Sequence, residues 1–168
     1  MATNVSSSPQ TNAWIRVRPF VAEDRPFVLS LAPRLVLGIA RWRDHEMMLA
    51  TAQGWLAGSM ERHGTETIVF IAEDERGERL GCASVSHSHH FTGDRQAYIG
   101  ELAVSDTAEG HGVGRALVLA CEQWAREQGY PFLVLATGSA NAGARGFYQH
   151  LGFQEEDVTL VKLLTMPH

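Results

Sequence analysis

The apolar positions change period several times along the chain, and each change marks an element. Residues 14–20, WIRVRPF, alternate like a strand and end at a proline-marked turn. Residues 23–38 and 44–62 place apolar side chains at helical spacing and predict two helices, joined by the aromatic and charged IARWR. Residues 66–74 then read as a strand, 75–79 as a turn, and 80–90 as a second strand that forms a hairpin with the first. After FTGD, residues 96–105 form a long strand. Between Gly112 and Gln128, the positions Leu117, Val118, Cys121, Trp124 and Ala125 fall on one helical face. Residues 129–137 are a nearly unbroken apolar run of the buried-strand kind. Residues 141–153 predict a helix capped by Asn141 and stopped at Gly152, and 158–164, VTLVKLL, a last strand. This order predicts an α+β domain whose mixed, mostly antiparallel central sheet is flanked by helices.

Composition narrows the class. A chain of 168 residues, 45% hydrophobic and 20% charged, suits one domain with a real core, expected over 14–168 behind a disordered leader at 1–13. A net charge of -5 provides no broad basic field, so nucleic acid is not an expected partner. The start of the chain lacks a signal-peptide pattern and no apolar run reaches membrane-spanning length, which predicts a cytoplasmic protein with no membrane partner. Cys82 and Cys121 lie in apolar elements without CxxC or Cys/His spacing and read as buried, reduced thiols.

The densest chemical signal is the stretch between the long strand and its helix, ELAVSDTAEGHGVGRAL, with Gly110, Gly112 and Gly114 at every second position. Glycines so placed allow positive φ and close backbone approach, and a helix starting there aims free N–H groups and the positive end of its dipole at an anion. A P-loop would need a lysine that is missing, and a dinucleotide fingerprint fails because Leu117 stands at its closing position.

What remains resembles the GNAT superfamily of N-acetyltransferases at two places in the right order. The run Glu109–Gly114 is similar to the family's R/Q-x-x-G-x-G/A loop, which grips the CoA pyrophosphate. NAGARGFYQHLGF matches its N-x-x-A-x-x-F-Y-x-x-x-G-F signature at Asn141, Ala144, Phe147, Tyr148, Gly152 and Phe153. The resemblance implies acetyl-CoA as co-substrate, a sheet splayed between its fourth and fifth strands, and backbone groups of Leu102, Ala103 and Val104 free for the pantetheine arm. The pyrophosphate would rest on Gly110, His111, Gly112, Val113, Gly114 and Arg115, with Asn141 on the pantetheine. Glu109 departs from the family's Arg or Gln, and its side chain is expected to turn outward.

For the chemistry, an aliphatic amine with a pKa of about 10.4 must lose a proton before attacking a thioester. The resemblance makes Glu101 the base, acting through water, and Tyr148 the acid that protonates the departing thiolate. Tyr98 and Glu101 differ by an odd number and lie on opposite faces of a regular strand, unless a β-bulge reverses the parity. An acceptor amine is expected near Trp42, Asp44, His45 and Glu46, although Trp42 is equally suited to the core. His87 and His89 share one strand face and His90 the other without an acidic partner, so no metal is expected; His89 is kept as a substrate-facing residue. The expected function is transfer of an acetyl group from acetyl-CoA to a primary amine of a small molecule or peptide. The alternative is a non-catalytic acyl-CoA-binding module of the same fold. A homodimer fits either, and nothing in the sequence specifies its interface.

Overall fold

The computed structural model describes residues 12–165. Five strands form one sheet in chain order: β1 (Arg16–Pro19), β2 (Thr67–Glu73), β3 (Arg79–His89), β4 (Arg95–Val104) and β5 (Leu133–Leu135). Neighbours pair antiparallel except β4 and β5, which are parallel. The parallel pair needs a crossover, supplied by α4 (Val113–Glu127). Its apolar stripe of Val113, Leu117, Cys121 and Ala125 buries against Ala83, Val85, Ala97 and Ile99 on one sheet face.

The other face is covered by α1 (Arg25–Ser30), α2 (Ala32–Leu35) and α3 (His45–Glu61), which bury Val28, Leu31, Ala52, Leu56 and Met60 against Val69, Ile71 and Ala103. The helix expected over 23–38 is broken at Leu31. Pro33 lacks the N–H that would continue the ladder, so α2 restarts with Arg34 N–H bonding the Leu31 carbonyl (2.9 Å). Asp44 begins α3, its Oδ1 accepting from Met47 N–H (2.7 Å).

β5 pairs with β4 only from Ala97 to Ile99, while β4 runs on to Val104 with β3 as its ladder partner. The two strands therefore part over the second half of β4. After β5, α5 (Ala142–His150) follows the Asn141 cap, whose Oδ1 accepts from Ala144 N–H (3.2 Å). The strand expected at 158–164 is not formed. The segment is irregular, with Leu160 90% and Leu164 86% exposed, because no edge among the described residues takes up its backbone groups. Of the expected leader, residues 1–11 lie outside the described residues. Asn12 is placed against the glycine loop, with its Nδ2 donating to the His111 carbonyl (2.6 Å).

Candidate active site

β4 carries the first candidate. Ala83 pairs with Leu102 and Val85 with Ile99, so Ser84 alone faces both Gly100 and Glu101. That is a bulge on β4, and it reverses the side-chain parity. Ala97 and Ile99 point toward α4, as do Leu102 and Val104, whereas Ala103 packs among α1–α3. Tyr98 and Glu101 thus share the α3 face, which the sequence had left undecided.

Glu101 is only 6% exposed. Its carboxylate accepts from the hydroxyls of Ser59 on α3 (2.9 Å) and Ser84, and its own N–H donates to Ser84 Oγ (3.1 Å). Burial pushes its pKa above the ordinary carboxylate value, and the Ser84 and Ser59 hydrogen bonds and the Arg62 charge only partly offset this. The gap beside it, bounded by Val28, Leu56, Val69 and Cys82, has no room for a water molecule. The Ser59 and Ser84 hydroxyls are the hydrogen-bonded contacts through which a proton can reach Glu101. Ser59, Ser84 and Arg62 were invisible in the sequence, because neither spacing nor motif links them to residue 101.

Tyr148 approaches from the opposite side. Its ring packs edge-on against Phe153, with centroids 5.7 Å apart, and beside Phe147 at 5.2 Å. Burial and the neighbouring Cys121 push its pKa up to about 12, so it stays protonated at neutral pH. Cys121 belongs to the α4 layer and Ser59 to the α3 layer, so Tyr148 neighbours the α4 side of the sheet and Glu101 the α3 side.

At the end of β4, the loop enters α4 with Gly110 (φ 77°) and Gly112 (φ 86°) in the left-handed region. Gly112 is the helix N-cap and offers no side chain, and the first intrahelical bond runs from Ala116 N–H to the Gly112 carbonyl (3.0 Å). The N–H groups of Val113, Gly114 and Arg115 therefore lack a side-chain cap. Arg115 Nε is buried without a partner among the described residues. Unspent donors at a positive helix end fit a diphosphate group.

The glycines of the loop have different surroundings. A Cβ on Gly112 would stand 2.7 Å from Asn12 Nδ2, and one on Gly114 would stand 3.2 Å from the Phe147 ring. Gly114 lets α5 pack on α4, whereas Gly110 has nothing within 4 Å of that position. The Glu109 side chain is 63% exposed, turned outward as expected, and there it pairs with Arg34 Nη2 (2.7 Å). One expectation needs correction: the Val104 carbonyl is not free, since it accepts from Arg34 Nε (2.9 Å).

The acceptor candidates are scattered. Trp42 is 43% exposed and so not a core residue, and Asp44 is occupied in capping α3. His87 packs against Trp124 of α4, with ring centroids 5.4 Å apart, and His89, two residues on, shares that face. Strand parity therefore sets His89 on the face opposite Glu101. Among the described residues, three potential ligand atoms come within 4.8 Å of one another only at His90, Glu156 and Asp157, a surface grouping apart from the β4 gap.

Known proteins resemble this chain. An enzyme of Pseudomonas paraeruginosa, L-methionine sulfoximine/L-methionine sulfone acetyltransferase, is 34% identical over 115 residues, 68% of this chain and 65% of that enzyme. N-acetyltransferase 8 of Rattus norvegicus is 38% identical over 74 residues, 44% of this chain and 33% of that protein. The chain thus spans less than two thirds of the length of either relative. The solved structure of AAC(6')-Iy in complex with the bisubstrate analog CoA-S-monomethyl-acetylneamine superposes with a TM-score of 0.63 at 20% identity, over 90% of this chain and 99% of that one, a likeness of fold. The family model for the acetyltransferase (GNAT) family matches residues 33–153. Bulged β4, parted strands and glycine-led α4 are therefore those of a member, and the chain belongs to the acetyltransferase (GNAT) family.

Proposed function

We propose that the protein transfers the acetyl group of acetyl-CoA to the primary amine of a small molecule. The observation that carries this reading is the uncapped start of α4, opening beside the gap where β4 and β5 part. Val113, Gly114 and Arg115 would hold the diphosphate with backbone N–H groups, and Leu102 and Ala103 would face the pantetheine arm. Acetyl-CoA supplies an activated acyl group on a thiol leaving group.

Glu101, poised above the usual carboxylate range, takes the proton released by the attacking nitrogen, by way of Ser59 or Ser84. Tyr148 donates a hydrogen bond to the departing sulfur. A phenol near 12 is a weaker acid than a thiol of about 8.5, so it stabilises the developing charge more than it completes the transfer. Metal takes no part in this scheme. Trp42 and the start of α3 are the proposed acceptor side, and the relative that acts on L-methionine sulfoximine and sulfone favours a free amino acid or its analogue. The free, buried thiols of Cys82 and Cys121 suit a reducing compartment, so the proposed location is the cytoplasm.

The test is CoA release from acetyl-CoA across a panel of amino acids, their sulfone and sulfoximine analogues, polyamines and short peptides. At least one amine should raise release well above the amine-free rate. With that amine, Tyr148→Phe should keep its affinity for acetyl-CoA and lose about 100-fold in kcat, the lower end of general-acid effects. Binding of acetyl-CoA without turnover on any amine would return the non-catalytic acyl-CoA-binding module instead.

A further inference from the structure

The geometry points to Arg34, on α2, as a cofactor-binding residue whose guanidinium neutralises Glu109 and meets the diphosphate at the mouth of the glycine loop. The inference rests on the acetyl-CoA reading above. Glu109 is an acid at the head of a loop built for an anion, and alone it would repel a diphosphate across a few ångströms. The structure answers this with Arg34, whose Nη2 lies 2.7 Å from Glu109 Oε1.

The arrangement is more than a surface ion pair. Arg34 Nε donates to the Val104 carbonyl (2.9 Å), which fixes the guanidinium plane where β4 ends and the loop begins. Its side chain is 22% exposed, against 63% for Glu109, so the cation is the anchored partner and the acid the movable one. A guanidinium carries five N–H donors. One goes to the Val104 carbonyl, Nη2 forms an ion pair with Glu109, and the guanidinium makes no other hydrogen bond among the described residues. Guanidinium also meets phosphate oxygens in a planar, two-pronged geometry that lysine does not reproduce.

Glu109 thereby acts as a stand-in anion. It holds Arg34 in place when the diphosphate is absent and can swing outward when the diphosphate arrives. The sequence signal was the acid at position 109, which asks for a compensating cation but does not say where it lies, and only the fold brings residue 34 to it.

The experiment measures binding of two probes by calorimetry, acetyl-CoA and S-acetylpantetheine, the second lacking the diphosphate. Arg34→Ala should weaken acetyl-CoA by about 10- to 100-fold, as expected for hydrogen bonds to a charged group, and leave S-acetylpantetheine unchanged. Glu109→Gln should move the other way and tighten acetyl-CoA, because it removes a repelling charge and frees Arg34. Arg34→Lys should recover only part of the loss. Equal losses for both probes in Arg34→Ala, or weaker acetyl-CoA binding in Glu109→Gln, would make the pair structural and overturn the inference. If the wild-type protein binds S-acetylpantetheine and acetyl-CoA equally, the diphosphate site itself fails. If it binds neither, the acetyl-CoA reading fails with it.

Discussion

At the scale of single residues, the β4 bulge serves one carboxylate. The β4 bulge leaves the Glu101 N–H outside the regular ladder, and Ser84 Oγ accepts it while its hydroxyl proton goes to the carboxylate of the same residue. Ser84 is therefore a positioning residue for Glu101, and its effect has a sign. Its hydrogen bond favours the charged form and opposes the upward push of burial. A base with a raised pKa loses activity as pH falls through that value, above the range of an ordinary glutamate. Ser84→Ala should move this acid limb of kcat/KM to still higher pH and largely preserve the alkaline plateau. A pH-rate profile on the best amine decides the matter: a limb that stays in place would leave Ser84 as packing only.

Between elements, glycine works less through freedom than through contact. Gly114 has an ordinary helical conformation, and its missing side chain is what admits the Phe147 ring of α5 to the first turn of α4. Gly114→Val should therefore push α5, and Tyr148 with it, away from the start of α4. Overpacking of this kind costs about 1–3 kcal/mol and should lower Tm by about 2–10 °C, read by thermal denaturation. Gly110→Val should act differently, since its surroundings are open and its φ of 77° disfavours a branched side chain. It should reduce acetyl-CoA affinity. A Gly114 variant with native Tm would show that α5 accommodates the added methyls without displacement.

For the whole molecule, a buried charge network ties the start of the chain to the sheet. Asp24 has no exposed surface, and it accepts from Arg18 (2.7 and 2.9 Å), Arg79 (2.6 Å) and Val21 N–H (2.9 Å), while Glu73 receives Arg16 and Arg18. Burial alone would raise both carboxyls, but the arginine hydrogen bonds outweigh it and hold both below the usual range. A depressed carboxyl contributes stability that is complete above its unfolded pKa, about 4, and is lost as pH falls through the folded one. Glu101, with its raised pKa, contributes in the opposite sense and favours the folded state on acidification. Asp24→Ala should cost about 3 kcal/mol at neutral pH, because it removes the buried carboxylate that Arg18 and Arg79 share and leaves Arg18 with Glu73 alone. The deficit should narrow below about pH 4, where the wild-type carboxylate becomes protonated in the unfolded chain. Urea unfolding at the two pH values checks it, and a deficit independent of pH would remove the charge from the explanation.

Local sequence pattern determined most of the elements, because hydrophobic period, caps and glycines act within a few residues. It placed α3, α4, β2, β3 and β4 close to their observed bounds, and it carried the glycine loop and the Asn141–Phe153 signature that point to the family. The tertiary structure alone decided the rest. Whether 158–164 becomes a strand depends on an edge to pair with, and the face that Glu101 occupies depends on how β3 is registered against β4. Ser59, Ser84 and Arg34 meet their partners across 42, 17 and 75 residues of chain, respectively. Such contacts obey packing and charge balance in three dimensions, and no short-range period in the sequence records them.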